Sequence, residues 1–184
     1  MARKIRPAAL AIATLALAGA VSAIALSATR SQTAAASFPG LSPSDQQAIR
    51  GYQGWTRLTK KPPARLRSLG SAHRTGTHTI YASPARSQLV GRNGRQRFPY
   101  PVGTKILKTN TDGGAITLVA IMRKVARGSS TAGSWDYVEY QRSSGSASFS
   151  KFSGGEAACT GCHSYANGGQ RGDPRTDSVF YALR

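Results

Sequence analysis

Acidic residues are scarce in this chain, which has 7 Asp and Glu against 25 Lys and Arg and a formal net charge of +18. Every charged residue between Asp45 and Asp112 is basic. Such a surface would attract anionic lipid, polyanions or an acidic redox partner, or would simply keep the protein soluble. The chain has no nucleic-acid recognition motif, so we expect no nucleic acid among its partners.

Cysteine is equally rare, and both cysteines lie in the segment Cys159-Thr160-Gly161-Cys162-His163. Two thiols at this spacing can each add to one vinyl group of a porphyrin, and the adjacent imidazole then becomes an axial iron ligand. The motif predicts one haem c attached through Cys159 and Cys162, with His163 as metal ligand. The alternatives are a disulfide or redox pair followed by an unrelated histidine, or a zinc site. Zinc would need His73 and His78 as additional ligands.

The first residues lack acidic side chains and predict export. Arg3, Lys4 and Arg6 precede an uncharged, alanine-rich run that ends in small residues suited to signal peptidase. We therefore predict a secretory signal over 1–28, a flexible linker over 29–43 and one haem domain over 44–184. The alanine content favours cleavage over retention as a membrane anchor. The predicted location is the periplasm, where c-type haem is attached.

Long helical patterns are missing from residues 76–140, which instead alternate between apolar and polar residues with turn signals between them. The predicted fold is α+β, a mainly antiparallel sheet with a few short helices. One helix is expected from Ser42 and another, carrying the cysteines, over 156–164. The predicted strands are 78–82, 103–108, 115–125 and 135–140, and 143–153 is predicted to be a mobile loop. Within each predicted strand, the alternation places certain residues on the same face. These sets are Ile106 and Lys108 in strand 103–108, Ile116, Leu118, Ala120 and Met122 in strand 115–125, and Trp135, Tyr137 and Glu139 in strand 135–140.

No methionine follows the cysteine motif, and Met122 is the only one outside the leader. Common small cytochromes c have the reverse order, and the cytochromes c′ are bundles of long helices. The combination of a β-rich body and a late motif resembles the cytochrome P-460 family and its relative cytochrome c′-beta, from Trp55 to Phe180. The matching segments are Thr79-Ile80-Tyr81, Ser83-Pro84, residues 101–108, Met122-Arg123-Lys124, Gly133-Ser134-Trp135-Asp136-Tyr137, the cysteine motif and Asp177-Ser178-Val179-Phe180. The resemblance implies an antiparallel sheet over a haem with an open distal side, often in a homodimer.

The resemblance also implies roles for individual side chains. A lysine at the end of the Gly-Thr strand is bonded covalently to the porphyrin in that family, and Lys108 occupies the matching position. Lys108 could instead reach solvent or a haem propionate, and Lys105, on the opposite face, is the less favoured cross-linker. The position of a distal arginine is occupied by His78, a candidate catalytic residue. His78 could donate a hydrogen bond to a bound ligand, shuttle protons, or lie at the surface.

A distal carboxylate is the expected feature that this sequence lacks. Family members that oxidise hydroxylamine use one as proton acceptor in the strand before Met122, but Ala120 lies nearest that position and no Asp or Glu occurs from Ala115 to Ala132. Three functions therefore stay open. They are oxidation of hydroxylamine or nitric oxide at open iron, capture of nitric oxide or carbon monoxide without turnover, and plain electron transfer. Electron transfer would require a sixth iron ligand such as His78, His73 or Met122.

Overall fold

The computed structural model describes residues 37–61, 76–126, 134–167 and 176–184. Within these ranges the chain forms a six-stranded antiparallel sheet whose strand order follows the sequence. The strands are β1 (Thr56–Arg57), β2 (Thr77–Ala82), β3 (Lys105–Asp112), β4 (Ala115–Lys124), β5 (Trp135–Gln141) and β6 (Ser150–Lys151). The α-helices are α1 (Pro43–Ala48), α2 (Arg86–Leu89) and α3 (Gly155–His163). The predicted α+β class, with a mainly antiparallel sheet and short helices, is confirmed.

One face of the sheet packs against the N-terminal part of the described chain. Its buried core contains Leu107, Val119, Ile121, Val138 and Tyr140 of the sheet, covered by Phe38, Leu41, Ile49, Tyr52 and Phe149. Helix α1 begins after Ser42, whose hydroxyl accepts a hydrogen bond from the Asp45 amide at 3.2 Å. After the helix ends, Gly51 adopts a φ of 71°, a left-handed conformation that glycine tolerates best.

The opposite face has a second core at one end of the sheet. Its buried members are Leu58, Ile80, Ala82, Leu89, Tyr100, Ile106, Met122, Trp135, Val179 and Leu183. The C-terminal residues therefore cover this face, and Lys60 exchanges two backbone hydrogen bonds with Ala182, at 2.9 and 3.0 Å. Beyond the apolar residues, the same face continues with ionisable side chains, which form the candidate site below.

The β3–β4 hairpin corrects one expectation about which residues share a face. Asn110 pairs with Leu118, but the next residue of β3, Thr111, pairs with Ile116, so a β-bulge shifts the register there. Leu118, Ala120 and Met122 lie on one face as predicted. Ile116 instead packs against the core of the opposite face, because the extra residue of the bulge reverses the alternation.

The predicted linker and loop are shorter than expected. Phe38 and Leu41 are each only 4% exposed, so the part of the 29–43 linker that is described belongs to the core and the folded domain begins before residue 44. Two apolar side chains in that segment outweigh its Ser- and Ala-rich composition. Phe149 is also buried, and β6 forms within the predicted mobile loop 143–153. The predicted signal 1–28 lies outside the described residues. None of the described helices has the length and hydropathy of a membrane span.

Two successive residues of β4 anchor segments on opposite faces of the sheet. Arg123 forms an ion pair with Asp45 of α1, and the Tyr140 hydroxyl donates to the same carboxylate at 2.5 Å. Burial alone would raise the pKa of Asp45, but hydrogen bonds from Tyr140, Ser42 and Arg123 bring it below its usual value. Lys124 Nζ forms the other ion pair, 2.7 Å from Asp177 Oδ1, with neither side chain exposed.

Candidate functional site

The cysteine motif lies on helix α3, which packs against strand β5. Ala157 and Ala158 favour the helix, and Glu156 in its first turn suits the positive end of the helix dipole. Cys159 and Cys162 are three residues apart, so both thiols lie on one side of the helix. Each is a half-buried thiol that is not joined in a disulfide. Cys159, Cys162 and His163 all belong to the last two turns of this helix.

The imidazole of His163 is held in one orientation by the C-terminal segment. Its Nδ1 lies 2.6 Å from the carbonyl oxygen of Ser178, and because a carbonyl only accepts, Nδ1 carries the proton. The lone pair is therefore on Nε2. The rings of Tyr137 and Phe180 pack against the imidazole with centroids 5.2 and 5.0 Å away. Burial lowers the pKa of His163 to about 4, so the ring is neutral at neutral pH.

The face of the sheet opposite α1 carries Lys108 and Glu139. Lys108 of β3 pairs with Ala120 of β4, and Ala120 pairs with Glu139 of β5. Directly paired residues of antiparallel strands project to the same face, so Lys108 and Glu139 flank the small side chain of Ala120. A strand spacing of about 4.8 Å places their backbones roughly 10 Å apart, which two long side chains can span.

Burial governs the ionisation of both groups. It lowers the pKa of Lys108 to about 7, although attraction to Glu139 opposes the shift. It raises the pKa of Glu139, against a hydrogen bond that Gln141 Nε2 donates to Glu139 Oε1 at 2.6 Å and the attraction of Lys108. A lysine with this pKa is partly unprotonated at neutral pH, so its Nζ carries a lone pair that can act as a nucleophile.

Electrostatic coupling shows that the helix and the sheet face surround one region. After the effect of burial, the negative charge of Glu139 is the next cause of a raised pKa at Cys159. The positive charge of Lys108 contributes to the lowered pKa of His163. The fold therefore places the Cys159 thiol of α3 near the buried carboxylate of Glu139 on β5, and the His163 imidazole near the partly buried amine of Lys108 on β3.

The other candidate residues occupy nearby or opposite positions. His78 pairs with Asn110, so it lies on the same face as Lys108, one cross-strand row away. Met122 is 7% exposed on that face and pairs with Tyr137. Lys105 lies on the opposite face, as predicted. His73 lies outside the described residues, among which no cluster of three or more His, Cys, Asp and Glu side chains forms a metal-ion site.

Glu139 is the site residue whose role the sequence did not predict. The sequence hypothesis considered a carboxylate only on the strand of Ala120, whereas Glu139 lies beside Ala120 on the neighbouring strand. The alternation of β5 already placed Glu139 on the same face as Trp135 and Tyr137. The sequence did not reveal the register of β4 against β5, which sets Glu139 beside Ala120. Comparison with protein-family models gave no match for this chain, and comparison with curated proteins gave none either.

Proposed function

We propose that this chain is a c-type cytochrome with one haem bound covalently through Cys159 and Cys162 and with His163 as iron ligand. The observation that carries this proposal is the hydrogen bond from His163 Nδ1 to the Ser178 carbonyl. It places the proton on Nδ1 and the lone pair on Nε2, which is the tautomer of a metal-ligating histidine whose other ring nitrogen donates to a carbonyl. Two thiols on the same helix and a partly apolar sheet face suit a porphyrin, so the residues present fit the group.

The finer assignment in our proposal is a cytochrome P-460-like fold with an open coordination position. When bound, the haem iron supplies a redox-active Lewis acid that can bind hydroxylamine, nitric oxide or carbon monoxide. Lys108 is the candidate for a covalent bond to the porphyrin, supported by a partly buried amine that is partly unprotonated at neutral pH. The open alternative is that Lys108 forms no bond and interacts with a propionate.

In this proposal the enzyme oxidises hydroxylamine, and Glu139 accepts protons from the substrate. A raised pKa brings a carboxylate closer to neutral pH, where it is a more effective general base. Gln141 orients the carboxylate through its 2.6 Å hydrogen bond. His78, farther along the same face, is the candidate donor to a bound ligand. In this proposal, Glu139 of β5 replaces the carboxylate that is missing from β4, where Ala120 occupies the expected position.

An absorption spectrum and an intact mass of the matured protein test the haem proposal. We expect covalent haem that is lost in Cys159→Ala/Cys162→Ala, and a strongly red-shifted Soret band if Lys108 is bonded to the ring. Lys108→Ala should then change the colour, whereas Lys105→Ala, on the opposite face of the same strand, should not. Colourless wild-type protein produced with an active haem-attachment system would refute the proposal.

Steady-state oxidation of hydroxylamine with an artificial electron acceptor tests the enzyme proposal. General-base catalysis is typically worth 10²–10⁴-fold, so we expect Glu139→Gln to slow turnover by about 100-fold or more. Glu156→Gln is the matched control, because this exposed carboxylate lies on α3. Equal rates in the two variants would remove Glu139 from the mechanism.

Capture of nitric oxide or carbon monoxide without turnover is the second candidate function. The observation that favours it is Ala120, which leaves β4 without the carboxylate that hydroxylamine-oxidising relatives are expected to have. Wild-type protein that binds both gases and shows no hydroxylamine oxidation would support it. A low-spin, six-coordinate ferric spectrum would instead favour electron transfer with His78 or Met122 as sixth ligand.

We further propose a periplasmic location, a homodimeric state and an acidic redox partner. The partner would dock at the basic patch of Lys60, Arg86, Arg97 and Arg184, all of which are exposed. The C-terminal segment contacts two of these residues, Lys60 and Arg86. Arg86 donates to the Arg184 carbonyl at 2.8 Å, and Lys60 bonds with Ala182 through the backbone. The same segment runs back to Ser178 beside His163, so the patch is close in the chain to the proposed iron ligand.

A further inference from the structure

The carboxylate of Asp177 is completely buried and accepts three hydrogen bonds. Lys124 Nζ donates to its Oδ1 at 2.7 Å, and Trp135 Nε1 donates to the same oxygen at 3.3 Å. The Tyr100 amide donates to Oδ2 at 2.8 Å. Lys124 also donates to Ser134 at 2.9 Å. Donors from three separate segments therefore hold Asp177 against the end of the sheet.

The backbone at Asp177 forms an unusual turn. Asp177 and Ser178 have φ values of 54° and 65°, and they are the non-glycine residues with positive φ in the described chain. Successive left-handed residues are unfavourable and persist only where surrounding contacts enforce them. The Lys124–Asp177 ion pair is directly attached to this turn.

The turn determines where the Ser178 peptide group points. Its carbonyl accepts the hydrogen bond from His163 Nδ1, while its amide donates to Asn167 Oδ1 at 2.7 Å. Asn167 Nδ2 in turn donates to Ser178 Oγ at 2.9 Å. Asn167 follows α3 closely in sequence, so the end of the motif helix and the left-handed turn are bonded to each other at three points.

We propose that the buried Lys124–Asp177 ion pair is a positioning device for the axial histidine, because it holds the left-handed turn that aims the Ser178 carbonyl at His163. A strong hydrogen bond at Nδ1 increases electron donation from the imidazole to iron, which favours the ferric state. Lys124 and Asp177 are thus positioning residues. They lie at the second core and set how strongly the imidazole of His163 donates electrons to iron. This inference rests on the proposed haem function.

A merely structural ion pair predicts a different pattern of effects, and the chain offers a matched control. Arg123–Asp45 is also an ion pair of β4, but it anchors α1 on the opposite face. Asp177→Asn and Asp45→Asn each remove one negative charge with little change in side-chain shape. Both should lower stability, but only Asp177→Asn should alter the bond between iron and His163.

The experiment measures resonance Raman spectra of the ferrous protein, the midpoint potential and the urea midpoint for wild type and both variants. We expect a lower iron–histidine stretching frequency and a more positive potential in Asp177→Asn. Asp45→Asn should keep the wild-type frequency and potential at a reduced urea midpoint. A wild-type frequency and potential in Asp177→Asn would overturn the proposal.

If Asp177→Asn does not fold, the double variant Lys124→Met/Asp177→Asn removes both buried charges together. It should fold with the same shifted frequency, and a wild-type frequency there would count against the ion pair.

Haem content is measured first. If the wild type carries no haem, the proposed function fails, and the positioning role is read from ¹⁵N shifts of His163. A proton on Nδ1 in wild type, and a tautomer mixture in Asp177→Asn, would still support it, whereas the same tautomer in both would refute it.

Discussion

Replacing Lys108 by Met should stabilise the haem-free protein and reduce the dependence of its stability on pH. Burial lowers the pKa of Lys108 from 10.5 to about 7 in the folded chain. Between these two values the unfolded state binds the extra proton and the folded state does not. Unfolding is therefore favoured as the pH falls from 10 towards 7, and stability rises with pH across this window.

The size of the effect follows from the two pKa values. At about 1.4 kcal/mol per pH unit, keeping Lys108 buried costs about 4 kcal/mol at pH 7 and about 2 kcal/mol at pH 9. The wild type should then gain about 2 kcal/mol between these pH values, and Lys108→Met should lack that gain. A covalent bond from Nζ to a porphyrin would alter the titration, so the haem-free form is the one to measure.

The assay is urea unfolding monitored by tryptophan fluorescence at pH 6, 7, 8 and 9, with Cys159 and Cys162 replaced by Ala to remove the thiols. Lys105→Met is the control because Lys105 belongs to the same strand but projects from the other face. If wild type and Lys108→Met show the same change in stability between pH 7 and 9, Lys108 is not a buried amine of low pKa. The haem cross-link would then lose its chemical support.

Two further predictions concern charge on the opposite face and at the surface. Asp45→Asn should lower the free energy of unfolding by about 2–3 kcal/mol at pH 7, because a partly buried arginine loses its charged partner. The fold lowers the pKa of Asp45, so the difference in stability between this variant and the wild type should shrink as the pH falls below 3.8. Arg86→Gln/Arg97→Gln should slow reduction of ferricyanide and weaken its salt dependence, measured by stopped flow. Arg50→Gln, outside the basic patch, is the control, and an equal effect there would argue against the patch.

Much of the sheet was predictable because its strands alternate and its turns are short. The segment Asp112-Gly113-Gly114 indicated the β3–β4 hairpin, and both glycines adopt positive φ there. The short strands β1 and β6 were not predicted, and neither was the face of Ile116, which depends on a bulge that pattern alone does not reveal. The depth of the N-terminal boundary was also missed, because Phe38 and Leu41 are isolated apolar residues in a polar segment and their burial depends on the sheet they cover.

The candidate site also contains some residues that local sequence indicates and one that depends on the long-range fold. Cys159, Cys162 and His163 lie within five successive residues, so the haem hypothesis needs only their spacing. Glu139 joins Lys108 only through the register of three strands, and that register is a long-range property of the fold. Sequence reasoning therefore proposed the haem-attachment residues and the candidate cross-linker, and it considered a carboxylate only on β4, whereas Glu139 lies on β5.

The end of β4 holds two distant segments of the chain on opposite faces of the sheet. Adjacent strand residues project to opposite faces. Arg123 can therefore hold α1 while Lys124 holds the C-terminal turn beside His163. A one-residue slip of β4 would exchange these faces and break both ion pairs, so their partners select a single register. The same register places Ala120 between Lys108 and Glu139, so the contacts that anchor the histidine turn also align the groups that face the proposed haem.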